Sequence, residues 1–196
     1  MSDPSPDPGA ARLEEGALRL FGIMCVSFQR CLLPPEGIHR TPVRSLGMLP
    51  VGPDQEGTFC VPVAEHESFW LGLSTEKSGS SFSLFAQMRN QHRLNVRSGR
   101  PAAEDADSAF HLSGFGAIYG IPRNAESWWS FRRVAAEPTR ACERLIFAEP
   151  NSPRVHKEPA QASVLLVSYE TYTERTHQRA PAPLDPSSGY EGWLLP

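Results

Sequence analysis

Phe69, Leu71 and Leu73 alternate with Trp70 and Gly72, and further on Phe82, Leu84 and Ala86 alternate with Ser83, Phe85 and Gln87. A period of two places successive side chains on opposite faces of a pleated strand. The same reading predicts a strand from about residue 20 to Leu33, where β-branched and aromatic residues gather around Val26 and Phe28. Further extended segments are predicted at Thr58–Val63, Ser68–Ser74, Ser81–Met88, Arg93–Arg97, Phe110–Ile121, Arg140–Ala148 and Ala162–Thr173, separated by clusters of Gly, Pro, Asn and Asp. The last begins as the continuous apolar run Val164–Val167 and turns polar, the pattern of a central strand leaving a core.

Two segments carry a helical period. Leu13, Ala17, Leu20 and Phe21 fall on one helical face, with Gly16 and Gly22 against it. In Asn124–Ala136, Asn124 can cap and Trp128, Phe131 and Ala135 make a stripe, yet Trp128 to Phe131 reads equally well as a strand. Strand-to-helix alternation is too sparse for a doubly wound fold. The predicted class is all-β with room for one or two short helices, as a β-sandwich or open barrel of about eight strands.

The chain has 196 residues, 40% apolar and 21% charged, enough for one core that buries roughly 70% of the unfolded surface. Residues 1–9 read as a disordered tail, 10–174 as a single β-rich domain, and 175–196 as a proline-rich linker ending in an apolar docking segment. A net charge of −3 gives no field able to hold a polyanion, which disfavours nucleic acid as a partner. The first residues lack the basic and apolar regions of an export signal, and Leu20–Val26, interrupted by Gly22, is too short to span a bilayer. A cytoplasmic location without membrane contact is expected, with Cys25, Cys31, Cys60 and Cys142 as free thiols.

Candidate chemistry is thin. Glu65-His66-Glu67 holds metal-ligand residue types, but neighbours on a strand point to opposite faces, so the segment reads as a solvated turn and no metal or other cofactor is expected. Gly114, Gly116 and Gly120 lack the spacing of a phosphate loop and read as bulges or close packing. No nucleophile stands with a base, and no catalytic residue is assigned. Arg89, Arg93, Arg97 and Arg100 form the sharpest charge feature, a face for an anion that could join Arg132 and Arg133 beside Trp128 and Trp129. Tyr190, Trp193, Leu194 and Leu195 are costly to leave wet and should dock on the body or on another subunit.

These features together predict a non-enzymatic binding or assembly module. It would contact a protein partner, or a second copy in a homo-oligomer, through the C-terminal aromatics and the arginine strand. The alternative is a small enzyme or ligand-binding barrel with a pocket lined by Trp70, Tyr119, Trp128 and Trp129. A weaker alternative is single-stranded nucleic-acid binding.

Overall fold

The computed structural model describes residues 11–105, 108–149 and 160–185. The chain enters as a hairpin of β1 (Ala11–Glu14) and β2 (Ala17–Leu20). Glu14 lies opposite Ala17, and the two intervening residues, Glu15 and Gly16, both have positive φ, 50° and 81°. That is the turn whose twist suits two-residue hairpins, and it replaces the helix suggested by Leu13, Ala17, Leu20 and Phe21.

The chain continues through β3 (Met24–Leu32), the short pieces β4 (Ile38–His39), β5 (Met48–Leu49) and β6 (Gly52–Pro53), and then β7 (Phe59–Pro62). The two strands with the clearest alternation follow as β8 (Glu67–Thr75) and β9 (Ser80–Met88), and then comes β10 (Arg93–Asn95). The predicted strand Phe110–Ile121 is broken into β11 (Phe110–Leu112), β12 (Phe115–Ile118) and the start of β13 (Ile121–Asn124). The first break, at Ser113-Gly114 with Gly114 at φ 90°, carries the chain from one sheet to the other. Next come β14 (Ser127–Trp129), β15 (Cys142–Ala148), β16 (Gln161–Val167) and the helix α1 (Tyr169–Thr176).

One sheet runs β1-β2-β3-β8-β12, with β5 beside the far half of β3, and the other runs β10-β9-β15-β16-β7-β6, with β11 on β9. The two pack face to face. Val26, Phe28, Phe69 and Leu71 from the first share one buried cluster with Val61, Leu84, Phe147 and Val164 from the second. Residues of one parity fill the interior along β3, β8, β9 and β16, while a register shift between Cys142 and Arg144 changes the inward phase of β15, and the fold is the all-β, sandwich-like arrangement expected.

One expectation is corrected and one open alternative is resolved. The strand predicted over Ala162–Thr173 stops at Val167, because the Ser168 side chain accepts the Thr171 amide and starts α1, which ends at left-handed His177. A cap that satisfies an orphan amide outweighs the strand preference of Tyr and Thr. Within Asn124–Ala136 the strand reading holds for β14, paired with β13 and β4 in a three-stranded sheet, and no helix forms. Among the described residues no helix is long and apolar enough to cross a membrane, and Cys25, Cys31, Cys60 and Cys142 are all free.

His39 on β4 lies opposite Trp128 and is 1% exposed. Burial lowers its pKa from 6.5 to about 4, so it folds neutral. The unfolded chain then binds the extra proton, and stability falls as pH drops from 6.5 towards 4. Urea titrations at pH 7 and 4.5 should show a loss of about 2–3 kcal/mol that shrinks in His39→Leu, measured as the difference between the two pH values for each protein. An equal loss in the variant would refute the assignment.

Candidate functional site

The inner face of the first sheet ends in two charges rather than apolar side chains. Arg30 shares the phase of Val26 and Phe28 on β3, and Glu67 shares that of Phe69 and Leu71 on β8; with Arg30 opposite Phe69 and Glu67 opposite Leu32, they meet diagonally across the strand pair. Glu67 is wholly inaccessible and Arg30 nearly so. Their side chains form an ion pair.

Every acceptor position of the carboxylate is used. Oε1 takes the Arg30 guanidinium and the Leu184 amide at 2.8 Å; Oε2 takes the Tyr169 hydroxyl at 2.6 Å and the Ala64 amide at 3.4 Å. Arg30 Nη2 also donates to the Tyr169 oxygen (2.8 Å) and to the Ala182 carbonyl (2.6 Å), while its buried Nε has no hydrogen-bond partner among the described residues. Burial alone would raise the Glu67 carboxyl, but the donors from Arg30, Tyr169 and Leu184 outweigh it and hold the group below the usual carboxylate range. Burial and donation to Glu67 push the Tyr169 hydroxyl above its ordinary value.

Two readings of the sequence are thereby corrected. Glu65 and His66 do form the turn, but Glu67 is not solvated; it opens β8 on the interior side. Residues 175–185 are not a free linker. Arg175 reaches Asp54 at 3.3 Å, Gln178 accepts from the Tyr172 hydroxyl at 2.8 Å, and 182–184 close over Glu67 as a strap. Tyr190, Trp193, Leu194 and Leu195, like residues 1–9, lie outside the described residues.

The outer face of the same sheet holds a shallow groove of about 540 Å³. Its floor is a cross-strand row of small residues, Ser27 opposite Gly72 and Gly72 opposite Ala117, continued by Ala17 on β2. A Cβ on Gly72 would stand 2.7 Å from Ser27 Oγ, so the depth of the floor depends on that glycine. Trp70 walls one side and Phe115, 91% exposed, the other. Arg19 in the Phe115 row is already occupied by Glu14 at 3.3 Å and Glu76 at 3.9 Å.

Of the four aromatics expected to line a pocket, three make a continuous line: Trp70 to Tyr119 at 5.5 Å and Tyr119 to Trp128 at 5.9 Å between ring centroids. Trp129 departs from them because neighbours on a strand alternate faces; Arg140 stacks on it at 3.9 Å and Arg123 at 5.4 Å. Arg89, Arg93, Arg97 and Arg100 are all exposed. The strand ends at Asn95, however, and Arg97 donates to the Ala109 carbonyl and faces Phe110. Gly120 sits against the Trp129 carbonyl, where a Cβ would collide, and Gly116 against Leu112, in keeping with close packing at these glycines. Burial pushes the Cys31 and Cys142 thiols up to about 12, and among the described residues no three His, Cys, Asp or Glu gather as a metal site requires.

Comparison with family models, with curated proteins and with solved structures finds no match to this chain. The Arg30, Glu67 and Tyr169 cluster and the outer groove therefore have to be interpreted from their own chemistry. Removing one member of a buried pair strands the other, so Arg30→Met or Glu67→Leu alone should cost about 3–5 kcal/mol in urea unfolding. The double variant should recover at least half of the summed loss, and strict additivity would contradict the coupling.

Proposed function

We propose that the chain is a protein-binding or assembly module whose main contact surface is the outer groove of the first sheet. The carrying observation is Phe115, a large apolar side chain left 91% exposed beside a floor of small residues and the Trp70 wall. Isolated exposed apolar residues are ordinary, but one that rims a groove marks a docking surface. The partner is an extended protein segment with an aromatic or aliphatic side chain: the small floor admits such a side chain between Phe115 and Trp70, and the paired Arg19 offers no free charge to a polyanion.

A shallow sheet face suits a macromolecule better than a small ligand, because small-molecule sites enclose most of the ligand's surface. The aromatic line from Trp70 to Trp128 therefore extends the contact surface and does not form a pocket of its own. Two further surfaces belong to this proposal. Arg89, Arg93 and Arg100 offer exposed guanidinium groups to an acidic rim of the partner. The C-terminal Tyr190, Trp193, Leu194 and Leu195 supply apolar anchors to the same partner or to a second copy.

Phe115→Asp should leave thermal stability within about 0.5 kcal/mol, as a surface change does. It should also abolish association, read as self-association in sedimentation velocity and as loss of a partner that crosslinks to a photoreactive residue at Ala117. A chain ending at Asp185 keeps the strap and should weaken the same association. If both variants associate like the intact chain, the proposal fails.

A further inference from the structure

The geometry points to a second, separate binding site: the Arg30, Glu67, His66 and Tyr169 cluster is a peptide-backbone clamp for an extended segment in which prolines alternate with hydrogen-bonding residues. The chain's own residues Ala180–Leu184 fill it in cis.

The contacts to the strap are to its backbone. Arg30 donates to the Ala182 carbonyl, Glu67 accepts the Leu184 amide, and His66 Nε2 lies 2.7 Å from the Leu184 carbonyl. In an extended chain the carbonyl of one residue and the amide and carbonyl of the residue two positions on point the same way. One side of the strap is thus read at successive positions by a cation, an anion and an imidazole. The intervening residue is Pro183, and Pro181 precedes Ala182. At these positions an amide hydrogen would point away from the clamp, so proline forfeits no bond there and holds the chain extended.

The clamp itself belongs to the body. Arg30 lies on β3, Glu67 on β8, His66 in the turn before it, and Tyr169 opens α1; Arg30, Glu67 and Tyr169 bond one another without the strap. A site assembled from body residues and occupied by backbone recognition accepts any segment that presents the same groups at the same spacing. A peptide supplied in trans would displace the strap and replace its bonds one for one. The source can be a second copy that exchanges its strap or another protein carrying a Pro-x-Pro-Leu stretch like Pro181–Leu184.

The probe is a labelled peptide of residues 178–185, added to the full-length chain and to full-length Leu184→Pro, whose strap has lost the amide that Glu67 accepts. The variant is expected to bind at least ten-fold more tightly than the wild type, and a peptide carrying the same Leu184→Pro change should bind neither. Should the variant not fold, hydrogen exchange on the wild-type chain decides: excess peptide should speed exchange of the chain's own Leu184 amide at least ten-fold and leave Leu84 and Val164 unchanged. Concentration-dependent dimers that persist in Phe115→Asp and that excess peptide dissociates would assign the trans segment to a second copy, and a Phe115→Asp chain that stays monomeric throughout would assign it to another protein. Equal binding to both chains, or no binding together with unchanged Leu184 exchange, would overturn the clamp.

Discussion

Glu67 is an anion with no access to water, and its four acceptor positions are filled from four places: Arg30 on β3, Tyr169 at the start of α1, Leu184 in the strap and Ala64 in the local turn. Removing both charges from water costs several kcal/mol per ion, and that cost is recovered only when all of the donors arrive together. The pairing of β3 with β8, the position of α1 and the path of 178–184 are consequently one problem with one solution. If the strap lay elsewhere, the carboxylate would lose the Leu184 amide and Arg30 the Ala182 carbonyl. If β3 slipped by one residue against β8, Arg30 would turn to the outer face and leave Glu67 unpaired. A buried pair is often no more stabilising than an apolar pair of the same volume, whereas parting its members costs about 3–5 kcal/mol, so arrangements that separate Arg30 from Glu67 are penalised.

The register that seats the pair also shapes the opposite face. With Arg30 opposite Phe69, Ser27 must lie opposite Gly72, and with Gly72 opposite Ala117 the small side chains line up across the strands. The inner row carries Phe28 and Leu71; two positions further along β3, the same inner face carries the charged member of the clamp. The groove and the clamp are therefore not independently adjustable, since a change of register that filled one would dismantle the other. Phe115 at the groove's rim and the strap, by contrast, can change without altering that register.

Much of the sandwich was legible from period alone. The alternation in 69–73 and 82–86 marks β8 and β9 correctly, one in each sheet, and the sandwich follows from several such segments separated by turn residues. The clamp was legible too, by a signal that a motif search passes over: Glu67 falls in the same phase as Phe69, Leu71 and Leu73, and Arg30 in the same phase as Val26, Phe28 and Leu32. Two opposite charges each in step with an apolar stripe are expected to be buried together. Treating Glu65, His66 and Glu67 as one cluster hid this, because the tripeptide spans a turn and a strand and its members face different ways. What period could not supply is the assignment of segments to sheets. Phe110–Ile121 looks continuous, yet it crosses from one sheet to the other at Gly114, a choice made by long-range pairing with β9 and β8.

The C-terminal strap shows why composition misleads where phase does not. Arg179-Ala-Pro-Ala-Pro-Leu-Asp185 has little to bury and prolines that cannot join a ladder, the profile of a linker. Proline removes a donor only at its own position, however, and an extended segment uses donors on one side at every second residue. With prolines at 181 and 183, the amides that remain, at 182 and 184, lie on the side where Glu67 accepts, and none is lost from that side. The strap also avoids the loss of freedom that a more flexible segment would suffer on docking, since φ at both prolines is already restricted. Alternation of proline with small residues is in this setting a strand pattern read by side chains in place of a neighbouring backbone, and its meaning depends on whether a buried donor and acceptor wait at matching spacing on the body. Arg30 and Glu67 meet that condition.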